Sequence, residues 1–162
     1  MNSSPEIDKL MEALVKARKK IGAVTKSGRN EHDRYNYAKL EDYVKATDES
    51  LLESGLSVIT STHELREGGN RTTKGGAVMN AVYVCLSLRL CHVSGQWIEV
   101  EQWGEGEDRS DKATYKAVTG ARKYGIANLL GLFTTDDAEN DVHEKSAIDR
   151  SAAPSRTASS LV

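Results

Sequence analysis

Cysteine, proline, aromatic side chains and net charge are all scarce in this chain of 162 residues, and each scarcity excludes something. With two prolines and 13 glycines, and with hydrophobic residues at 38% and charged residues at 28%, the composition is neither collagen-like nor low-complexity, so a packed fold is expected. The two cysteines, Cys85 and Cys91, fall on one expected strand, about 20 Å apart at ~3.3 Å per residue, whereas a disulfide needs Cα atoms within roughly 7 Å. They cannot bridge each other. A net charge of -2 rules out a whole-molecule basic field as the argument for a nucleic-acid partner. No apolar run approaches membrane-spanning length, nothing at the start resembles a signal peptide, and the expectation is a soluble protein of the reducing cytoplasm. No G-x-x-x-x-G-K-[ST] occurs, so a P-loop ATPase is excluded at motif level, and no internal repeat is visible. His32, His63, His92 and His143 are scattered, without metal-ligand spacing to either cysteine.

What is present reads as one domain over residues 1–140 followed by an acidic, then Ser/Ala-rich tail over 141–162. Ile7, Leu10, Met11, Leu14, Val15, Arg18 and Ile21 keep i, i+3, i+4, i+7 spacing after Pro5, which predicts a first helix ending near Gly22. A second helix is expected from about Lys39 to Ser54, with Gly55 just past its end. The period then drops to two. Leu56 to Thr62, Ala77 to Val93 and Gln96 to Trp103 read as strands, with His92-Val93-Ser94-Gly95 closing a hairpin. Arg66 to Gly76, with four glycines and no aliphatic residue, reads as a long flexible link. A third helix is expected from Ser110 to Tyr124, capped by Asp108 or Ser110, with an apolar turn from Ile126 to Phe133. The order gives an α+β fold: a three-stranded antiparallel sheet in a β-β-β-α core, with two helices ahead of it.

Charge is blocked along the chain. Bases gather between Lys9 and Arg34 and between Arg109 and Lys123, acids at Glu99–Asp111 and Asp136–Glu144. On the third helix Lys112, Lys116, Thr119 and Lys123 project within about 60° of one another, beside an expected small-residue stripe of Ala113, Ala117, Gly120 and Tyr124. Such a row can track phosphates; it can equally be the solvated face of a packed helix. Lys9, Lys16 and Lys20 line one edge of the first helix, interrupted by Asp8 and Glu12. Tyr35 and Tyr37, preceded by Arg34, could stack bases or anchor the second helix. Arg66, Arg71 and Lys74 could grip a strand as a mobile arm or simply decorate a solvated tip.

The enzymatic alternative is a metal-dependent nuclease built from Glu105, Asp108, Asp111, Asp136 and Asp137, since Mg²⁺ takes one or two carboxylates plus phosphate oxygens. Against it, carboxylates gather at helix N-termini and in tails for ordinary reasons. The Gly104-Glu105-Gly106 run invites a dinucleotide-loop reading, but Arg109 stands where the third glycine belongs, and the acids would repel a pyrophosphate.

Several motifs occur together: Tyr35-Asn36-Tyr37 before a helix, Gly55-Leu56, Ser94-Gly95, the run from Gly106 through Ala113, Lys116-Ala117-Val118-Thr119-Gly120-Ala121-Arg122-Lys123-Tyr124, and Thr134-Thr135-Asp136-Asp137. Their combination, across roughly Ile7 to Asp141, resembles the ERF superfamily of phage annealing proteins. The D-K-A-x-x-K-A-x-T-x-A-x-K-Y pattern carries most of the specificity, and Ser110 departs from a glycine common at that place in the family. The resemblance implies a protein that anneals complementary single strands for recombination and repair without ATP, as a homo-oligomeric ring or filament. It implies no catalytic residue, no metal and no cofactor, with Mg²⁺ left open as a modulator. The implied core is similar to that of Rad-type annealing recombinases. By that analogy Lys112, Lys116, Lys123 and Arg122 hold phosphates, and the segment around Arg66, Arg71 and Lys74 closes over the strand. Implied partners are single-stranded DNA, the annealed duplex intermediate and further copies of the chain, with a single-strand-binding protein as a candidate and no membrane; the setting is the bacterial cytoplasm for a phage-encoded chain.

Overall fold

A computed structural model describes residues 2–31 and 34–135. Three helices, α1 (Asp8–Arg18), α2 (Leu40–Glu53) and α3 (Ala113–Leu130), alternate with six strands: β1 (Asn2–Ser3), β2 (Gly28–Asn30), β3 (Tyr35–Tyr37), β4 (Leu56–Thr72), β5 (Val78–His92) and β6 (Trp97–Asp108). The antiparallel sheet has the order β1-β6-β5-β4, while β2 and β3 form a separate hairpin. The mixed α+β class and the three long strands agree with the sequence pattern. The fourth strand is Asn2–Ser3, too short to carry any periodicity, which adds to the edge of β6 at Glu99 and Ile98. No helix among the described residues is long and apolar enough to cross a membrane.

The core lies on one face of the sheet. Val84, Leu86, Leu88 and Leu90 alternate inward from β5 and are almost wholly buried. Helix α1 contributes Leu10, Leu14 and Ala17, α2 contributes Tyr43, Thr47 and Leu51, and α3 contributes Ala117, Ala121, Ile126 and Leu130. The N-terminus of α1 is held from a distance: buried Gln96 accepts from the Leu10 amide at 2.9 Å and donates to Asp8 at 2.7 Å. At its other end Arg18 donates to the Gly131 carbonyl at 3.0 Å, and Gly131 takes the left-handed conformation (φ 60°) that terminates α3.

Four expectations are corrected. Residues 66–76 are not a flexible link: β4 runs on to Thr72 and pairs with β5 down to Thr72↔Val78, passing register shifts at Thr62/Glu64 and Glu67/Gly69. These residues are exposed on both faces, so nothing in their sequence had to alternate. Likewise β6 continues beyond Trp103 to Asp108, so the Gly104-Glu105-Gly106 run is strand rather than loop. Helix α3 starts at Ala113 and reaches Leu130, absorbing the expected apolar turn, and neither Asp108 nor Ser110 caps it. Instead Asp108 accepts from the amide and hydroxyl of Ser110 at 3.0 and 2.8 Å. Helix α1 stops at Arg18, short of Gly22.

The packed stripe of α3 is also rotated from its expected place. Ala113, Ala117, Ala121 and Gly125 are buried, while Gly120 faces open space and Tyr124 is exposed. The cause is on β6. A Cβ at Gly104 would overlap the carbonyl oxygen of Ala117, and one at Gly106 would overlap that of Ala113. Helix and strand therefore touch backbone to backbone, and four-residue spacing of small side chains keeps them in register. The expected tail, residues 141–162, lies outside the described residues, as do Asp136 and Asp137.

Candidate nucleic-acid interface

The expected cations divide into two groups, and the divide runs along the sheet. On the face of the sheet away from the helices, β4, β5 and β6 present Glu64, Arg66, Tyr83, Cys85, Arg89, Glu99, Glu101, Trp103 and Glu105 as cross-strand neighbours. Arg66 bonds Glu64 and lies over the Trp103 ring, 4.7 Å from its centroid. Arg71 reaches Glu107 and the Tyr83 hydroxyl, each at 2.7 Å, and Glu105 at 2.9 Å. Arg89 pairs with Glu99 at 2.9 Å and stacks 4.2 Å from the Trp97 centroid. Carboxylates outnumber guanidiniums on this surface, and Arg66 and Arg71 are both committed there. Lys74 sits exposed in the turn between β4 and β5. Burial among these side chains raises the pKa of the Cys85 thiol.

At the start of α3, Lys112 is the exposed N-cap residue. Lys116 is tied down: its ammonium pairs with Asp108 and donates to the Glu107 carbonyl at 2.9 Å. The hydrogen bond from Lys116, with those from Ser110, holds the Asp108 carboxyl far below the ordinary carboxylate range. Lys116 thus joins the last residues of β6 to the first turn of α3. Lys123 lies 4.5 Å from the centroid of the Tyr124 ring.

Arg122 turns the other way, into a groove between α3 and α2 lined by Lys39, Leu40, Glu41, Val44, Lys45 and Thr119. Tyr115, Thr119 and Arg122 keep i, i+4, i+7 spacing, so they share one stripe, and the Tyr115 ring is 73% exposed. Among the described residues, neither Lys45 nor Arg122 has an ion-pair partner, and Lys39 has only Glu41, at 3.8 Å. Leu40 and Val44 give the groove apolar surface, and its charged lining is three cations against one acid, Glu41.

The hairpin of β2 and β3 stands at the start of α2. Asp42 fixes it there, accepting from the Lys39 amide at 2.8 Å and from the hydroxyl and amide of Ser27 at 2.9 and 3.2 Å. Tyr35 and Tyr37 on β3 are both exposed, with ring centroids 6.2 Å apart and planes inclined by 60°. Gly28 opposite makes room for the Tyr37 ring, since a Cβ there would lie 2.7 Å from it. Arg34 adopts φ 56° beside them. Tyr37 is two residues from Lys39 in the chain, though neither tyrosine lines the groove. Lys39, Lys45 and Tyr115 escaped the sequence reading; only Tyr115 left a signal there, one turn ahead of Thr119 and two ahead of Arg122.

Of the carboxylates of the nuclease alternative, Asp136 and Asp137 lie outside the described residues, and Glu105 and Asp108 do not face the same side of the sheet. Glu105 and Glu107 face outward with Arg71, whereas Asp108 lies on the helix side with Lys116. Among the described residues no group of three or more His, Cys, Asp or Glu is placed to hold a metal ion.

A β-β-β-α core with cations and aromatic rings gathered beside its packed helix defines a candidate strand-binding domain. The ERF superfamily model matches residues 10–161, nearly the whole chain, and the protein belongs to that superfamily. No curated protein matches it closely enough to count as a relative. Membership of this superfamily is consistent with a recombination-related role.

Proposed function

We propose that this protein binds single-stranded DNA in the groove between α2 and α3 and anneals complementary strands without ATP, acting as a homo-oligomeric ring or filament in recombination and repair. The observation that carries the reading is that two of the three cations of this groove, Lys45 and Arg122, have no carboxylate partner among the described residues, and the third, Lys39, has only the long pair with Glu41, while the arginines of the opposite sheet face are closely paired. An unpaired ammonium or guanidinium can neutralise a phosphate and release its counterion; one already bound to glutamate gains little by the exchange. Tyr115, Tyr35 and Tyr37 add π-faces that accept any base, each stacked base contributing on the order of 1–3 kcal/mol.

Annealing requires that the backbone be held and the base edges left free. A row of cations beside apolar surface does this without nucleotide hydrolysis, because strand pairing itself supplies the driving force. Family membership supports the recombination-related part of this reading. The proposed partners are the duplex intermediate and a single-strand-binding protein, in a host cytoplasm. Oligomerisation multiplies modest contacts through effective concentration, which suits a molecule of net charge -2. β4, 17 residues long, is an edge strand of the sheet and offers an unpaired ladder to a second copy.

A fluorescence annealing assay tests the proposal. The expected result is faster duplex formation with intact DNA, unchanged when ATP is omitted and retained in EDTA. Failure to retain single-stranded DNA at low salt refutes it, as does Mg²⁺-dependent cleavage that vanishes in Asp108→Asn.

A further inference from the structure

A second groove, which shares no lining residue with the first, has no part in strand binding as proposed. It runs along α1, is lined by Lys9, Lys16, Lys19, Met11, Val15 and Ser54, and contains Glu12 as its one acid. Met11 and Val15 are 41% and 52% exposed, an unusual concentration of apolar surface on a short helix whose other faces are polar or buried. Among the described residues none of the three lysines has an ion-pair partner, in contrast to the neighbouring Lys20, which holds Glu53 at 2.5 Å. The buried hydroxyl of Ser54 likewise has no hydrogen-bond partner among the described residues.

The described chain ends near the C-terminal end of α1, the helix along which this groove runs. Thr134 bridges Val24, the Val24 amide donates to the Phe133 carbonyl at 3.0 Å, and Arg18 holds Gly131, so residue 135 leaves the fold at the C-terminal end of α1. The chain continues as Asp136-Asp137-Ala138-Glu139-Asn140-Asp141-Val142-His143-Glu144, five carboxylates with one branched aliphatic residue among them and no lysine or arginine. Its length suffices. Nine residues reach about 30 Å at ~3.3 Å each, while Lys9 to Arg18 spans only about 14 Å of helix at ~1.5 Å per residue.

We infer that the acidic segment 136–144 docks in the α1 groove of its own chain, its carboxylates on Lys9, Lys16 and Lys19 and Val142 over Met11 and Val15. The contact is an intramolecular ligand site for an acidic, partly apolar peptide. It withholds three lysines from nucleic acid and leaves the α2–α3 groove as the cationic surface that remains open. Being largely ionic and exposed, it loosens as salt rises through the range where the Debye length falls from about 10 Å to about 3 Å.

Zero-length carbodiimide coupling of the full chain, read by peptide mass spectrometry, tests this without any DNA. The proposal expects amide links from Lys16 or Lys19 to carboxylates of 136–144 within one chain, fading as salt is raised. They should vanish in the variant Asp136→Asn, Asp137→Asn, Glu139→Gln, Asp141→Asn, Glu144→Gln, while the Lys20–Glu53 link persists as the internal control. Two results overturn it: the control link forming without any link from the α1 lysines to the segment, or a mixture of isotopically light and heavy protein in which those links occur only between chains, which would assign the groove to a second copy.

Discussion

The two sides of this molecule use the same residue types to opposite ends. On the open face of the sheet, Arg66, Arg71 and Arg89 are each bound to glutamate, and Arg66 and Arg89 also stack on tryptophan. In the groove between α2 and α3, Lys45 and Arg122 stand without an ion-pair partner among the described residues beside Leu40 and Val44, with the exposed Tyr115 on the adjoining turn. A near-neutral chain can thus keep Lys45 and Arg122 unpaired among the described residues, because several of its acids are spent on the arginines of the sheet face. Net charge alone conceals this, and counting basic residues would have ranked Arg71 with Arg122.

The comparison depends first on α3 staying clamped to the sheet, and the most severe way to break it is to fill the contact. Gly106→Ala places a Cβ within van der Waals overlap of the α3 backbone, which has no side chain to move aside. We expect a loss of about 3 kcal/mol in denaturant unfolding, at the upper end for overpacking, because helix and strand must separate. A change below about 0.5 kcal/mol would show that the helix is not held by this contact.

A smaller effect should fall on binding alone. Tyr115→Ala removes an exposed ring that buries little within the fold, so unfolding should shift by no more than about 0.5 kcal/mol, while affinity for single-stranded DNA should fall by about 1–3 kcal/mol if a base stacks there. Equal affinity in a titration would remove Tyr115 from the interface. The converse substitution, Arg71→Ala, should cost at most about 1 kcal/mol of stability, since its pairs with Glu105 and Glu107 are half exposed, and should leave DNA affinity within about twofold.

The smallest effect concerns pH. Because Lys116 and Ser110 hold the Asp108 carboxyl below its usual value, the ionised form is favoured in the fold. Its contribution is therefore complete above the unfolded carboxylate value of about 3.9 and is lost as pH falls through the lower folded one. Asp108→Asn should lower stability at pH 7 and flatten the acid limb of a stability profile below about pH 4; an unchanged limb would mean that the carboxylate is not engaged by Lys116 in solution.

Much of this architecture can be read from the chain before any coordinates. Helix α2, the apolar stripe of α1, the alternation of β5 and the turn at His92–Gly95 all emerge from periodicity, since each has one buried and one wet side. The extension of β4 to Thr72 could not be read, because strands wet on both faces need no alternation and glycine-rich sequence looks like loop. The stripe on α3 was misplaced because Gly120 and Ala121 are equally small, and only Gly104 and Gly106 across the contact decide which of them turns inward. Of the proposed groove, Arg122 could be picked out in the sequence, whereas Lys39 and Lys45 join it only when α2 folds against α3, and Tyr35 and Tyr37 stand on the separate hairpin at the start of α2. Lys116, which spacing aligns with Lys112 and Lys123, is drawn away by Asp108, a partner eight residues back across the β6–α3 junction.

The central claim is that the unpaired cations of the α2–α3 groove bind the strand and the paired arginines of the sheet face build the fold. Salt titration of single-stranded DNA affinity measures it most directly, comparing Lys45→Ala with Arg122→Ala in one protein against Arg66→Ala with Arg71→Ala in another. At about 0.7 units of log–log slope per phosphate contact on a single strand, the first protein should lose roughly 1.4 units, and the second should keep the parent slope. Loss of slope in the second protein with none in the first would place the strand on the open sheet face and contradict the account.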